Sequence, residues 1–251
     1  MKDRVELLGI SVDVASTKEA SETTISYIET EGSKVVYFVN SETLLLLEDN
    51  SEWREALLSS DLILPGGANI NTGINDALGH KRDPFFFESY MDAVLDYITE
   101  MGLDAFLVTG SEQQFQSVQA NIHEKRPYLY LSGFYKTDQE HSYEHVVNEI
   151  NSVAPDILLM ACNEKVQLDL LSRYRDLMNT GVVIFLGDLL YHKAVIDEEI
   201  PQKIEKMNLN NFYRWFKKGG RVKAFVNNIK MHFKLKRHKK DSDNMERRIC
   251  L

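Results

Sequence analysis

Seven short apolar runs, without polar alternation, punctuate the first 190 residues: 5–10, 35–39, 62–64, 105–109, 128–131, 157–162 and 182–186. Such runs mark strands covered on both faces, as in a parallel sheet. Between them the apolar spacing becomes helical and predicts helices at 17–31, 41–59, 70–79, 87–101, 112–125, 142–153 and 164–179. Ser16-Thr17-Lys18-Glu19 reads as a capping box that opens the first of these. Regular alternation of strand and helix leaves few architectures. The expected one is a Rossmann-like α/β fold, a mostly parallel sheet with helices on both faces. No internal repeat, low-complexity segment or Pro/Gly/Ser-rich linker interrupts it, so residues 1–203 are read as one domain.

After Pro201 the pattern changes. Residues 204–218 and 221–238 read as two helices broken at Gly219-Gly220, with Phe212, Trp215, Phe216, Val222, Phe225, Val226, Ile229 and Phe233 forming an apolar stripe. Charge divides at the same place. Residues 206–240 hold 12 Lys or Arg and no acid, whereas residues 1–205 hold 35 acidic against 15 basic residues. Dispersed charge would suffice for solubility, so this concentration needs another reason. Cations interleaved with aromatics suit an anionic surface over an apolar interior, meaning a phospholipid leaflet or a lipid-linked phosphate. Residues 204–240 are therefore read as a basic amphipathic helical appendage for a membrane or lipid diphosphate, and 241–251 as a disordered tail. Nucleic acid is the poorer partner, because the acidic remainder repels a polyanion and no nucleic-acid motif is present. No run of about 18 apolar residues spans a membrane. The N-terminus lacks the apolar stretch of a signal peptide, so the expected location is cytoplasmic, peripheral on the inner face of the cell membrane. Cys162 and Cys250 suggest neither a disulfide nor a zinc site.

In a doubly wound sheet, ligands bind beyond the C-terminal ends of the strands. Four such ends carry suitable groups: Asn40 and Glu42; Gly66, Gly67 and Asn69; Thr109, Gly110 and Ser111; and Asn163 and Glu164 leading to Gln167. The paired glycines let backbone amides approach an oxygen-rich ligand, and the turn at Thr109, Gly110 and Ser111 suits a phosphate. Together they outline a nucleotide-type pocket. Asp188 and His192 follow the 182–186 run, and Asp188 is read as either a helix N-cap or, with His192, the general base. Glu42 and Glu88 are secondary candidates for that base. His141 and His145, flanked by Glu140 and Glu144, lack a third ligand and read as a solvated helix face. Asp241-Ser242-Asp243 matches Asp-x-Asp by chance, after a basic run.

Six stretches then follow one another in a known order: Leu8-Gly-Ile-Ser-Val-Asp13, Val39-Asn-Ser-Glu42, Asp61-Leu-Ile-Leu-Pro-Gly-Gly67, Ala105-Phe-Leu-Val-Thr-Gly110, Pro155-Asp-Ile-Leu-Leu-Met160, and Tyr213-Arg-Trp-Phe216 with Arg221. Over about residues 6–235 the chain resembles the TagA/WecG/CpsF glycosyltransferases. The resemblance implies transfer of a hexose or N-acetylhexosamine from a UDP-sugar donor to an undecaprenyl-diphosphate-linked acceptor, in cell-wall or capsular polysaccharide synthesis. It implies no metal cofactor, and it assigns Arg214 and Arg221 to the lipid diphosphate. The chain departs from the family pattern at several places. The family Thr is Phe38, its candidate base Asp is Gly66, and its Arg-Val-x-Gly-x-Asp stretch falls on residues 85–90. Of its Pro-Lys-Gln-Glu stretch, Gln167 is kept. Two readings follow: an active transferase that uses another base, or a non-catalytic homologue serving as a binding subunit beside a partner glycosyltransferase or in a homo-oligomer.

Overall fold

The computed structural model describes residues 3–30, 32–83, 85–138, 142–187, 189–190, 230–231 and 234–235. The chain opens with a hairpin, β1 (Arg4–Leu7) and β2 (Ile10–Asp13), followed by α1 (Thr17–Ile28). Then come β3 (Lys34–Val39), α2 (Ser41–Leu46), α3 (Ser51–Leu58), β4 (Leu62–Pro65), α4 (Ala68–Leu78) and α5 (Phe87–Glu100). The second half runs β5 (Asp104–Thr109), α6 (Glu112–Lys125), β6 (Tyr130–Lys136), α7 (Tyr143–Val153), β7 (Ile157–Ala161), α8 (Glu164–Tyr174) and β8 (Val182–Phe185).

Six strands form one sheet in the order β4-β3-β8-β7-β5-β6, every neighbouring pair parallel. Alternate residues of each buried strand feed two cores. Val35, Tyr37, Val39, Leu158, Met160, Val183 and Phe185 pack under α2, α3, α4, α7, α8 and the hairpin. Val36, Phe38, Leu62, Leu64, Leu107, Leu159 and Ile184 pack under α1, α5 and α6. This is the three-layer α/β fold that the alternating pattern predicts.

Four local expectations need correction. The run at 5–10 is not one buried parallel strand. Leu8 (φ 54) and Gly9 (φ 81) turn the chain back, so Leu7 pairs with Ile10 in a separate antiparallel hairpin. Two consecutive positive φ values fit the twist of a two-residue hairpin loop. The strand expected at 128–131 begins at Tyr130 and continues to Lys136 along the sheet edge, where Tyr130 and Phe134 are exposed. Covered on one side only, it lacks the continuous apolar signature. The helix expected at 41–59 is two helices, because Asn50 caps Trp53 N at 3.0 Å and starts α3. The helix expected at 164–179 ends at Tyr174 and passes into a 3₁₀ turn, Arg175–Leu177. The capping box at α1 forms as read: Ser16 Oγ accepts from Glu19 N (3.2 Å), and Ser16 N donates to Glu19 Oε2 (2.8 Å).

Most of the appendage, including its apolar stripe, lies outside the described residues. Lys230, Met231, Lys234 and Leu235 are helical. Met231 is fully buried, Leu235 packs on the core beside the hairpin, and Lys234 pairs with Glu48. Gly73 on α4 makes room for Leu235. A Cβ there would sit 3.3 Å from Leu235 Cδ1 and 3.4 Å from both Leu7 methyl carbons. The sequence stripe did not include Met231 or Leu235.

Candidate functional site

With all six strands parallel, their C-terminal ends share one edge. Asn40 ends β3 there and caps α2: its Oδ1 accepts from Glu42 N (2.8 Å) and Thr43 N (3.0 Å). Its Nδ2 donates to Glu164 Oε1 at 2.6 Å. Glu164, the first residue of α8, is 5% exposed. Its other oxygen accepts from Tyr37 OH (3.1 Å) and from Thr43 Oγ1 (3.0 Å). Gly187, just past β8 with φ +60, completes the cluster, because a Cβ there would overlap Glu164 Oε1. Thus β3, α2, α8 and the end of β8 converge on one carboxylate. Burial first, and the Glu164 charge second, push the Tyr37 hydroxyl well above its ordinary value. The same two causes, in the same order, push the buried Cys162 thiol up, so it is an inert core residue.

The other polar groups are placed unevenly. Gln167 is fully buried. Its Nε2 donates to Cys162 O (2.7 Å) and its Oε1 accepts from Gly187 N (3.1 Å), so both ends of the amide brace the edge from within. Asn163 is exposed and caps α8 at Lys165 N (2.9 Å). At the third loop, Gly110 N donates to Gln114 Oε1 (2.8 Å), and Ser111 Oγ caps α6 at Gln114 N. A phosphate would have to displace Gln114 before it could use the Gly110 amide. Thr109 is fully buried. Gly66 N donates to Val39 O (2.7 Å). A Cβ at Gly66 would lie 2.9 Å from that same carbonyl oxygen, so the turn is built for glycine. Gly67 is the N-cap of α4 and supplies no side-chain cap. Asn69 Nδ2 reaches Ser41 Oγ at 3.2 Å and ties this loop to α2. Glu42 is half-buried beside Asn40, whereas Glu88 is exposed on α5. Asp188, His192, Arg214 and Arg221 lie outside the described residues.

On the opposite face of β3 three of the departures from the pattern of the resemblance meet. Phe38, Phe85 and Tyr90 pack as one cluster with ring centroids 5.2 to 5.9 Å apart, and Phe87 joins at 5.2 Å. Tyr90 OH finds Thr24 Oγ1 at 2.8 Å. These are the positions where the resemblance expects Thr, Arg and Asp. A cation, Arg82, stands three residues before Phe85 in the chain. Arg82 donates to Asn71 Oδ1 (2.8 Å) and Ala15 O (3.2 Å). It has no carboxylate partner among the described residues, and burial lowers its pKa. Sequence reading missed Tyr37, Thr43, Gly187 and Arg82, and placed Glu164 at a polar strand end without its role as the centre of the cluster. Two signals were available: a phenol inside a buried strand, and a carboxylate three residues past a strand end.

An open parallel sheet with helices on both faces and polar loops beyond the C-terminal ends of its strands defines a Rossmann-like α/β protein. The model of the glycosyl transferase WecG/TagA/CpsF family matches residues 5–244, nearly the whole chain, and the chain belongs to that family. A search of curated proteins finds no match. Among the described residues, no helix is long and apolar enough to cross a membrane.

Proposed function

We propose that the protein transfers a hexose or N-acetylhexosamine from a UDP-sugar to an undecaprenyl-diphosphate-linked saccharide, at the inner face of the cell membrane, in cell-wall or capsular polysaccharide synthesis. Membership of a glycosyl transferase family carries this reading. The polar edge at Asn40, Gly67 and Asn69 supports it, and so does the basic segment after residue 205. Inverting transfer needs a base to take the acceptor hydroxyl proton, and cations or amides to stabilise the departing UDP diphosphate. Backbone amides and Arg82, Arg214 and Arg221 are the groups offered for the diphosphate, with no metal required. Asp188, His192 and Glu42 are the candidates for the base. The test is UDP release from a panel of UDP-sugars, with an undecaprenyl-diphosphate-sugar analogue, in EDTA. Turnover supports the reading, and turnover that requires magnesium or manganese contradicts its metal-free form.

One observation favours a second reading, a non-catalytic binding subunit. Phe38, Phe85 and Tyr90 replace family polar residues together and pack on one another, as a pocket converted to core would. UDP binding by calorimetry without turnover on any donor would favour this reading.

A further inference from the structure

The Glu164 cluster fixes the rotation of a side-chain amide. Asn40 Oδ1 faces two backbone N–H groups of α2, and Nδ2 faces a carboxylate oxygen. Flipping the amide would set its oxygen 2.6 Å from that carboxylate and its NH₂ against two donors. Both contacts would be repulsive, so one orientation survives. In it, one Nδ2 proton is held by Glu164, and the second has no partner among the described residues. Asn40 is only half-buried, at the end of β3 where a doubly wound sheet meets its ligand.

We propose that Glu164 is a positioning residue for the transfer: it holds the Asn40 amide so that its second N–H is presented to an oxygen of the sugar-nucleotide donor. The proposal rests on the transferase reading above. Glu164 touches no substrate in this role. Its two oxygens already accept from three neutral donors, so it is committed to the cluster and is not offered as the base. Its charge makes the Asn40 bond strong and directional. Gly187 is part of the device, since any side chain there would push the carboxylate off Asn40.

The test uses the full chain, UDP-sugar turnover, UDP calorimetry and thermal unfolding on three proteins: wild type, Glu164→Gln, and the exchange pair Asn40→Asp/Glu164→Gln. A glutamine can turn either end toward Asn40, so the amide loses its single orientation. Glu164→Gln is expected to lower kcat by about 10²-fold, because small misplacements at a reacting centre cost that much. UDP affinity should change by less than about twofold. The exchange pair rebuilds the bond with reversed polarity, because the carboxylate introduced on β3 accepts from the amide introduced on α8 and still caps α2. It should recover the wild-type Tm without recovering turnover, since the presented N–H is gone. Wild-type kcat in Glu164→Gln would overturn the proposal. So would an exchange pair that regains turnover along with Tm, which would make Glu164 a brace for the fold and nothing more. Should Glu164→Gln fail to fold, the exchange pair decides alone. A wild-type protein inert on every donor removes the transferase reading and this role together, whereas an active wild type with an unaffected Glu164→Gln removes this role only.

Discussion

Position 66 shows how a single backbone contact decides what a residue can become. Restoring the family carboxylate as Gly66→Asp would drive a Cβ to 2.9 Å from Val39 O. Strain of this kind costs about 1–3 kcal/mol. The urea midpoint should therefore fall, with no turnover gained in return. At the opposite, N-terminal edge of the sheet, Asp104 and Asp156 exchange backbone bonds: Asp104 N to Asp156 Oδ2 (3.0 Å) and Asp156 N to Asp104 Oδ1 (2.9 Å). Burial pushes both carboxyls up. At Asp104, hydrogen bonds from Ser132 and Asp156 outweigh burial and leave it below the ordinary value, while Asp156 stays above. A raised folded value contributes stability below the ordinary Asp range that is lost as pH rises through the raised value. A lowered one contributes above that range and is lost as pH falls. Asp156→Asn keeps the acceptor for Asp104 N and removes the repulsion. It is expected to raise Tm by about 1–2 °C at pH 7, a gain that fades as pH falls through the Asp156 value, where the wild-type carboxyl is already protonated. A scan of Tm against pH for both proteins checks it. The place of Glu164 past a strand end was legible in the sequence, but its role was not, because its partners Tyr37, Asn40 and Thr43 stand 121 to 127 residues away.

The order of elements was legible because β3, β4, β5, β7 and β8 are covered on both faces and leave no polar alternation to confuse with helix. Elements that face solvent on one side, or turn sharply, were less legible. The hairpin hid in an apolar run because Leu8, a residue that rarely takes positive φ, occupies its turn. The edge strand β6 hid because Ser132 and Gly133 interrupt it. Within the second core, Phe38 bridges β3 to α5 through Phe87 and Tyr90, so this contact holds an element pair together. Phe38→Thr empties a fully packed ring site, and large-to-small changes of this size cost about 3–5 kcal/mol. Phe38→Thr and Tyr90→Ala should therefore be non-additive in denaturant unfolding, the double variant losing less than the two singles together. Strict additivity would show that the rings do not act as one unit. Gly73→Leu should expel Leu235 from α4, raising amide exchange at Lys230, Met231, Lys234 and Leu235 while leaving that of β3 and β7 unchanged.

For the molecule as a whole, the separation of charge predicts behaviour that the core alone would not show. With 12 cations in residues 206–240, the full chain should sediment with anionic vesicles at low salt and be released as salt screens the attraction. Indifference to such vesicles would remove the membrane from the proposed function. Deleting residues 204–251 is a coarser probe, because it also removes Met231, which is fully buried in the core. Truncation after residue 235 keeps that contact and still removes four of those 12 cations, and it should weaken vesicle binding without lowering Tm. Where Leu235 meets Gly73 there is also a mechanical consequence. The same helix, α4, is capped at Gly67, in the loop proposed for the donor, and carries Gly73 about two turns later. On the transferase reading, a pull on Leu235 would be delivered to α4 as to the handle of a lever, and the short arm of that lever is the loop proposed to meet the donor.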